Sequence, residues 1–189
     1  MAEELSEKER LLLEIRKEVE NCRKCPLYKK RKKVVFGDGN PDSKLMVIGE
    51  APGKEEDETG IPFVGRAGRL LRKLLKDTGL EEFYITNVVK CRPPHNRTPL
   101  KKEIEACVPF LERQIALLKP SIILTLGNTA FKAVTGENHK LTDVRGKILK
   151  ISQKVICPSF HPSFALRNKR AKESLTEDIK SLLSYLKSE

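Results

Sequence analysis

Four short runs of consecutive apolar residues punctuate this chain: 44–48 (with Leu45, Met46, Val47, Ile48), 83–89, 121–127 and 154–157. Uninterrupted runs of this length, bounded by turn residues, predict strands buried on both faces. Between them the apolar positions recur at three- and four-residue spacing, which predicts helices. Ser6 and Glu9 form a capping box ahead of Leu11, Leu12, Ile15 and Val19, a helix that ends near Asn21. A second helix starts at Arg66. A third opens at Thr98 with Pro99 in its first turn, carries Ile104, Cys107, Val108, Leu111 and Ile115, and stops before Pro120. Residues 128–135 form a short helix, 144–151 an arm of a hairpin leading to the fourth strand, and Leu175, Ile179, Leu182, Leu183 and Leu186 the inner face of a last helix. Residues 37–43 are turn chemistry throughout. Strands alternating with helices imply an α/β fold, a mostly parallel sheet covered on both faces, in one domain spanning 1–189.

The stretch Gly49-Glu50-Ala51-Pro52-Gly53, continuing to Phe63-Val64-Gly65, leaves the end of the first strand. In open α/β sheets ligands bind at the carboxyl ends of strands. The loop carries five acids, Glu50, Glu55, Glu56, Asp57 and Glu58, and one flat ring, Phe63. It is not a P-loop, because Lys54 is followed by Glu55, and Gly60, Gly65 and Gly68 do not make a dinucleotide fingerprint.

Composition narrows the class. In 189 residues, 37 Lys and Arg against 26 Asp and Glu leave a net charge of +11, a surface suited to a polyanion. The abundance of both signs also fits a solvated, ion-paired surface. No apolar run approaches membrane length, and the opening residues 1–8 lack the apolar core of a signal peptide, so a soluble, intracellular, cytoplasmic protein is expected.

Five cysteines in such a chain do not suggest disulfides. Cys22 and Cys25 form a C-x2-C pair followed by Pro26, Cys91 lies in the loop after the second strand, and Cys107 lies on the helix that this loop feeds. The connection brings these segments together around one metal site. Zinc accepts four thiolates but commonly uses two tight pairs; an iron–sulfur cluster tolerates the wider spacing; and buried structural thiols are the third alternative. Cys157, inside an apolar strand, is expected to be a packed thiol.

Three motifs then resemble those of the family 4 uracil-DNA glycosylases, the iron–sulfur members of their superfamily: 49–53, 86–94 (Thr86-Asn87-Val88-Val89-Lys90-Cys91-Arg92-Pro93-Pro94) and His161-Pro162-Ser163. The likeness runs in order from Cys22 to about Asn168. It implies a three-layer α/β/α sandwich around a four-stranded, mostly parallel sheet. It also implies a monofunctional enzyme that removes uracil from DNA to leave an abasic site. Cys22, Cys25, Cys91 and Cys107 would ligate a structural [4Fe-4S] cluster, with no organic cofactor. Uracil would contact Gly49, Glu50, Ala51, Phe63, Asn87 and His161. Phe63 offers a stacking face, and the Asn87 amide complements uracil but not cytosine, provided that neighbouring contacts fix its orientation. His161 would stabilise charge on uracil O2.

Ala51 stands where another branch has an acid, so Glu50 or Glu56 orients water, or leaving-group stabilisation dominates; the latter is favoured. Gly53 stands where that branch has a bulky aromatic, which leaves thymine exclusion to another group such as Glu50 or Glu56. Ser163, Phe164, Leu166 and Arg167 are candidate DNA contacts, with Phe164 or Leu166 filling the gap left by the base. Lys169, Arg170, Lys172 and the basic run 29–33 are further phosphate candidates. The expected partner is uracil-containing DNA, the expected state a monomer without membrane attachment. The competing readings are an iron–sulfur electron carrier and a zinc-stapled nucleic-acid-binding module.

Overall fold

The computed structural model describes residues 5–189; residues 1–4, part of the opening stretch expected to lack a signal peptide, lie outside the described residues. Helix α1 (Glu7–Glu20) is capped as expected: Ser6 Oγ accepts from Glu9 N at 3.2 Å, and Glu9 Oε2 accepts from Ser6 N at 2.9 Å. A single 3₁₀ turn (Pro26–Lys29) follows the C-x2-C pair. The chain continues through β1 (Asp38–Gly39), β2 (Leu45–Gly49), α2 (Lys54–Thr59), α3 (Arg66–Thr78), β3 (Tyr84–Asn87), α4 (Lys101–Leu118), β4 (Ile122–Leu126) and α5 (Asn128–Thr135). It ends with α6 (Leu141–Val144), β5 (Leu149–Ile151), β6 (Lys154–Ser159), α7 (Pro162–Ala165) and α8 (Lys169–Ser188).

The sheet runs β1-β3-β2-β4-β6-β5. Its four inner strands, the four expected, are mutually parallel. The sheet nevertheless has six strands, not four, because a short antiparallel strand pairs at each edge: β1 on β3 and β5 on β6. β5 is the last part of the expected hairpin arm 144–151, whose first residue instead ends α6, and it is turned by Ser152 and Gln153, both with left-handed φ (48° and 65°), the pair a tight hairpin requires. β1 lies inside the segment expected to be turn only; two residues carry no periodic signal.

Side-chain alternation along each strand divides the core in two. Met46, Ile48, Tyr84, Ile123 and Ile156 pack with α1, α4 and α5. Leu45, Val47, Ile85, Ile122, Leu124 and Cys157 pack with α3, α7 and α8. The result is the expected α/β/α layering. Two local expectations fail. The loop after β2 contains a helical turn and a half, α2, that the sequence pattern did not announce. The third helix begins at Lys101 rather than at Thr98–Pro99, because Glu103 supplies the cap by accepting from Leu100 N at 2.8 Å. Buried Glu103 is held there by a two-pronged ion pair with Arg97 at 2.8 and 2.9 Å, which also keeps its carboxyl below the usual range.

The connections after β2 and β4, adjacent strands, leave in opposite directions, toward β3 and toward β6. That divergence opens a crevice at the carboxyl end of the sheet.

Candidate active site and cysteine cavity

The crevice is a cavity of about 500 Å3, walled by the loops after β2, β3, β4 and β6. Glu50, Ala51, Phe63, Asn87, His161 and Ser163 all line it. Gly49 lies beneath its floor: a Cβ there would sit 2.4 Å from Phe63 Cζ and 2.5 Å from Asn87 Oδ1. Ring and amide therefore meet over the one residue that has no side chain.

Phe63 is held in a backbone conformation that residues with side chains avoid (φ 56°), at a cost of about 1–3 kcal/mol. Three neighbours impose it. Glu56 Oε1 accepts from Val64 N and Gly65 N at 3.1 and 2.9 Å. Arg72 donates to Phe63 O and Pro62 O at 2.9 and 2.8 Å. Gly68 on α3 lets the Phe63 backbone approach so closely that a Cβ would fall 2.2 Å from its carbonyl carbon. Glu56, expected as a candidate for water or thymine, thus has one oxygen committed to shaping the Phe63 loop. The sequence offered no signal for the part played by Arg72, which looks there like one more helix-surface cation.

Asn87 ends β3 with its side chain on the Phe63 face of the sheet. It is 2% exposed, and its Oδ1 is buried without a hydrogen-bond partner among the described residues. Among the described residues no hydrogen bond to that oxygen fixes the amide, so the expected orienting contact to it is absent. Behind the strand, on the α4 face, lies a polar network. Lys90, 0% exposed, donates through Nζ to Thr86 Oγ1 at 2.6 Å, Asn87 O at 2.8 Å and Gln114 Oε1 at 2.5 Å. Burial pushes its ammonium down to about 7, while nearby Cys107 acts in the opposite sense. Gln114 Nε2 in turn donates to Phe36 O at 3.0 Å and lies 3.3 Å from the Tyr84 hydroxyl.

His161 follows β6 and faces Phe63, with ring centroids 6.1 Å apart and planes 34° from parallel. Its Nδ1 accepts from Ser163 N at 3.1 Å and lies 2.7 Å from Ser163 Oγ. Because the backbone N–H can only donate, Nδ1 is the unprotonated nitrogen, and the ring proton resides on Nε2. Burial pushes the ring's pKa down to about 4, so it is neutral at physiological pH. Glu50 accepts from Thr129 Oγ1 at 2.6 Å, which anchors its carboxylate to the first turn of α5.

Pro93, in the 86–94 motif but given no role there, enters from the loop after β3. Asn96 and Arg97 of the same loop and Gly127 from the end of β4 escaped the sequence reading; their only signal was membership of loops at strand carboxyl ends. Three of the four candidate DNA contacts fall outside the cavity: Phe164 and Leu166 on and just after α7 are 44% and 40% exposed, and Arg167 is exposed beside them. Phe160 meets Phe164 edge-on at 5.4 Å, with the Arg145 guanidinium 5.6 Å from the Phe160 ring. Ser163 alone of the four turns inward, to His161.

Cys22, Cys25, Cys91 and Cys107 line a second, narrow cavity on the α1/α4 face, with Arg31, Lys90 and Phe110. Arg31 Nη1 donates to Cys91 Sγ, and Lys90 N to Cys107 Sγ, both at 3.4 Å. Burial raises the pKa values of Cys25, Cys91 and Cys107, the last to about 11. Among the described residues no group of three or more His, Cys, Asp or Glu is placed to hold a single metal ion. Four thiols converge on this one cavity, a donor set that suits an iron–sulfur group or zinc once the thiol protons are lost. Cys157 lies on the opposite face, fully buried, its Sγ 3.8 Å from Asp178 O.

Comparison with known proteins is consistent with this picture. The uracil DNA glycosylase superfamily model matches residues 36–186. The chain is 45% identical over 188 residues to a type-4 uracil-DNA glycosylase of Thermotoga maritima, covering 96% of this chain and 98% of that protein. It is 46% identical over 182 residues to a type-4 uracil-DNA glycosylase of Sulfurisphaera tokodaii, covering 90% and 83%. A type-5 uracil-DNA glycosylase of Thermus thermophilus is 32% identical over 117 residues, 53% of each chain. With the matched span running from the segment before β1 into the last turn of α8, the chain belongs to the uracil-DNA glycosylase superfamily.

Proposed function

We propose that this chain, acting as a monomer on uracil-containing DNA, flips uracil out of the strand and hydrolyses the bond between uracil N1 and deoxyribose C1′. One observation carries the reading. Asn87 Oδ1 is a buried acceptor with no partner among the described residues, in the cavity that also holds the Phe63 ring and His161. An acceptor left so costs about 1–3 kcal/mol, which an incoming N–H recovers. Uracil N3–H is such a donor, and its O4 accepts from the Asn87 amide. Cytosine brings an acceptor at N3 and a donor at C4, so both contacts become repulsive.

The chemistry follows from the other groups. Phe63 stacks on the extruded base. As the glycosidic bond breaks, its electron pair passes to the uracil ring, and the His161 Nε2–H donates to O2 where negative charge gathers. Such a donor contributes about 2.7–4 kcal/mol. Because the ring is neutral beforehand, no proton must be lost to make it a donor. Water then adds to C1′ of the sugar cation and releases its proton. Leaving-group stabilisation carries most of the barrier lowering; with one Glu56 oxygen committed to the loop backbone, Glu50, anchored by Thr129, is our candidate for the carboxylate that favours the cation and its water. Phe164 or Leu166 fills the vacated stack, and Arg167 meets phosphate.

Cys22, Cys25, Cys91 and Cys107 would hold a [4Fe-4S] cluster. When bound, it supplies a covalent staple joining the turn after α1 to the loop after β3 and to α4.

The test is an oligonucleotide carrying one uracil, with thymine and cytosine controls. The expected result is an alkali-labile site at uracil alone, without added cofactor. Absence of cleavage, or equal cleavage at thymine, overturns the proposal.

A further inference from the structure

We infer that Lys90 is a positioning residue for base recognition: from behind the sheet it fixes the end of β3 that presents Asn87 to the cavity. The inference rests on the uracil-excision reading above. The outer edge of β3 loses its strand partner early, because β1 pairs only with Tyr84 and Ile85. Thr86 and Asn87 lie beyond that pairing, where no β1 residue can bond the buried Asn87 carbonyl. Lys90 Nζ supplies the missing donor at 2.8 Å, and a second to Thr86 Oγ1 at 2.6 Å. Thr86 Oγ1 passes the constraint on by donating to Phe36 O at 2.7 Å.

The three groups facing Nζ are all acceptors, which suit the charged amine with its three N–H donors, and the third of these goes to Gln114 Oε1 at 2.5 Å. No donor is left over, so the Lys90 head is locked in one place. Its main chain is locked as well. Lys90 O accepts from Val35 N at 2.8 Å, and Lys90 N donates to Cys107 Sγ. One residue thus reaches from the wall of the cysteine cavity to the backbone of the base-reading asparagine. Burying a lysine completely is costly, and a strand end that needed only filling would take an apolar side chain. The specific return is three donors delivered to one point, two of them to the last two residues of β3.

The test compares the holoprotein with Lys90→Met, Thr86→Val and Gln114→Leu. It measures affinity for free uracil by calorimetry, affinity for a uracil-free duplex, kcat and KM for excision, melting temperature and the visible absorbance of the metal group. In Lys90→Met, uracil affinity and kcat should fall about tenfold or more, as expected for small misplacement of a recognition group. Duplex affinity and visible absorbance should be unchanged. Thr86→Val should show a smaller loss in the same direction. Gln114→Leu leaves the bonds to Thr86 and Asn87 in place, so it should lower the melting temperature but keep uracil affinity.

Lys90→Met with wild-type uracil affinity overturns the inference, as does an equal loss in Gln114→Leu, which would tie the effect to stability alone. Should Lys90→Met not fold, unchanged uracil affinity in Thr86→Val overturns it instead. Wild-type protein that neither binds nor excises uracil would remove the underlying reading, an outcome distinct from a wild type that binds uracil and a Lys90 variant that binds it equally.

Discussion

Gly49→Ala probes the site with a single methyl group. Gly49 does not occupy the left-handed region, so alanine meets no backbone penalty there, and the perturbation is steric. The new Cβ would lie 2.4 Å from Phe63 Cζ and 2.5 Å from Asn87 Oδ1, whereas ordinary contact begins at 3.4 Å. Ring and amide must each retreat by about 1 Å, and a displacement of that size at a recognition group costs about 100-fold in rate. That corresponds to about 2.7 kcal/mol of transition-state stabilisation. Both groups are buried but border the cavity and can yield into it, so stability should fall by the low end of the about 1–3 kcal/mol that overpacking costs. Single-turnover excision from a single-stranded uracil oligonucleotide at saturating enzyme reads the chemical step without the cost of opening a duplex. Gly68→Ala is the contrasting variant: its Cβ strikes the Phe63 backbone at 2.2–2.4 Å, so it should lower both rate and melting temperature. A Gly49→Ala enzyme within about threefold of wild type, against the 100-fold expected from that displacement, would refute the placement of ring and amide at the reacting base.

Four further outcomes follow from the geometry. Burial depresses the His161 pKa to about 4, so as pH falls the unfolded chain takes up its proton first; stability should be intact above about pH 6.5 and decline toward pH 4, and His161→Gln should flatten that decline in thermal melts. The excision rate should show no inflection near pH 6.5, because the ring acts as a neutral donor throughout. Cys107→Ser should lose iron, sulfide and visible absorbance together and melt at lower temperature; metal analysis finding stoichiometric zinc in the wild type would refute the cluster assignment. Leu166→Ala, removing an exposed apolar tip, should slow excision from duplex about tenfold more than from single strands, since only the duplex requires a few kcal/mol of unstacking.

Local spacing carried much of this protein. Runs of apolar residues gave the four inner strands, and α5 spans the residues expected from the sequence, because burial of a defined face imposes a period that can be read one window at a time. The motifs at 49–53, 86–94 and 161–163 were legible for the same reason: each sits where a buried strand runs out into a loop. What the tertiary structure decided is which distant groups meet. The edge strand β1 is too short to show a period and exists because a neighbour offers unpaired backbone. Glu56, one of five loop acids, became a brace for Phe63 only through the path the loop takes. Lys90 reads in sequence as one more cation beside Cys91 and Arg92, yet the fold buries it wholly and gives each of its donors a partner. A one-dimensional pattern specifies which face of an element leaves water; the complement of partners awaiting a buried polar group is set by segments tens of residues away, and only the packed chain determines it.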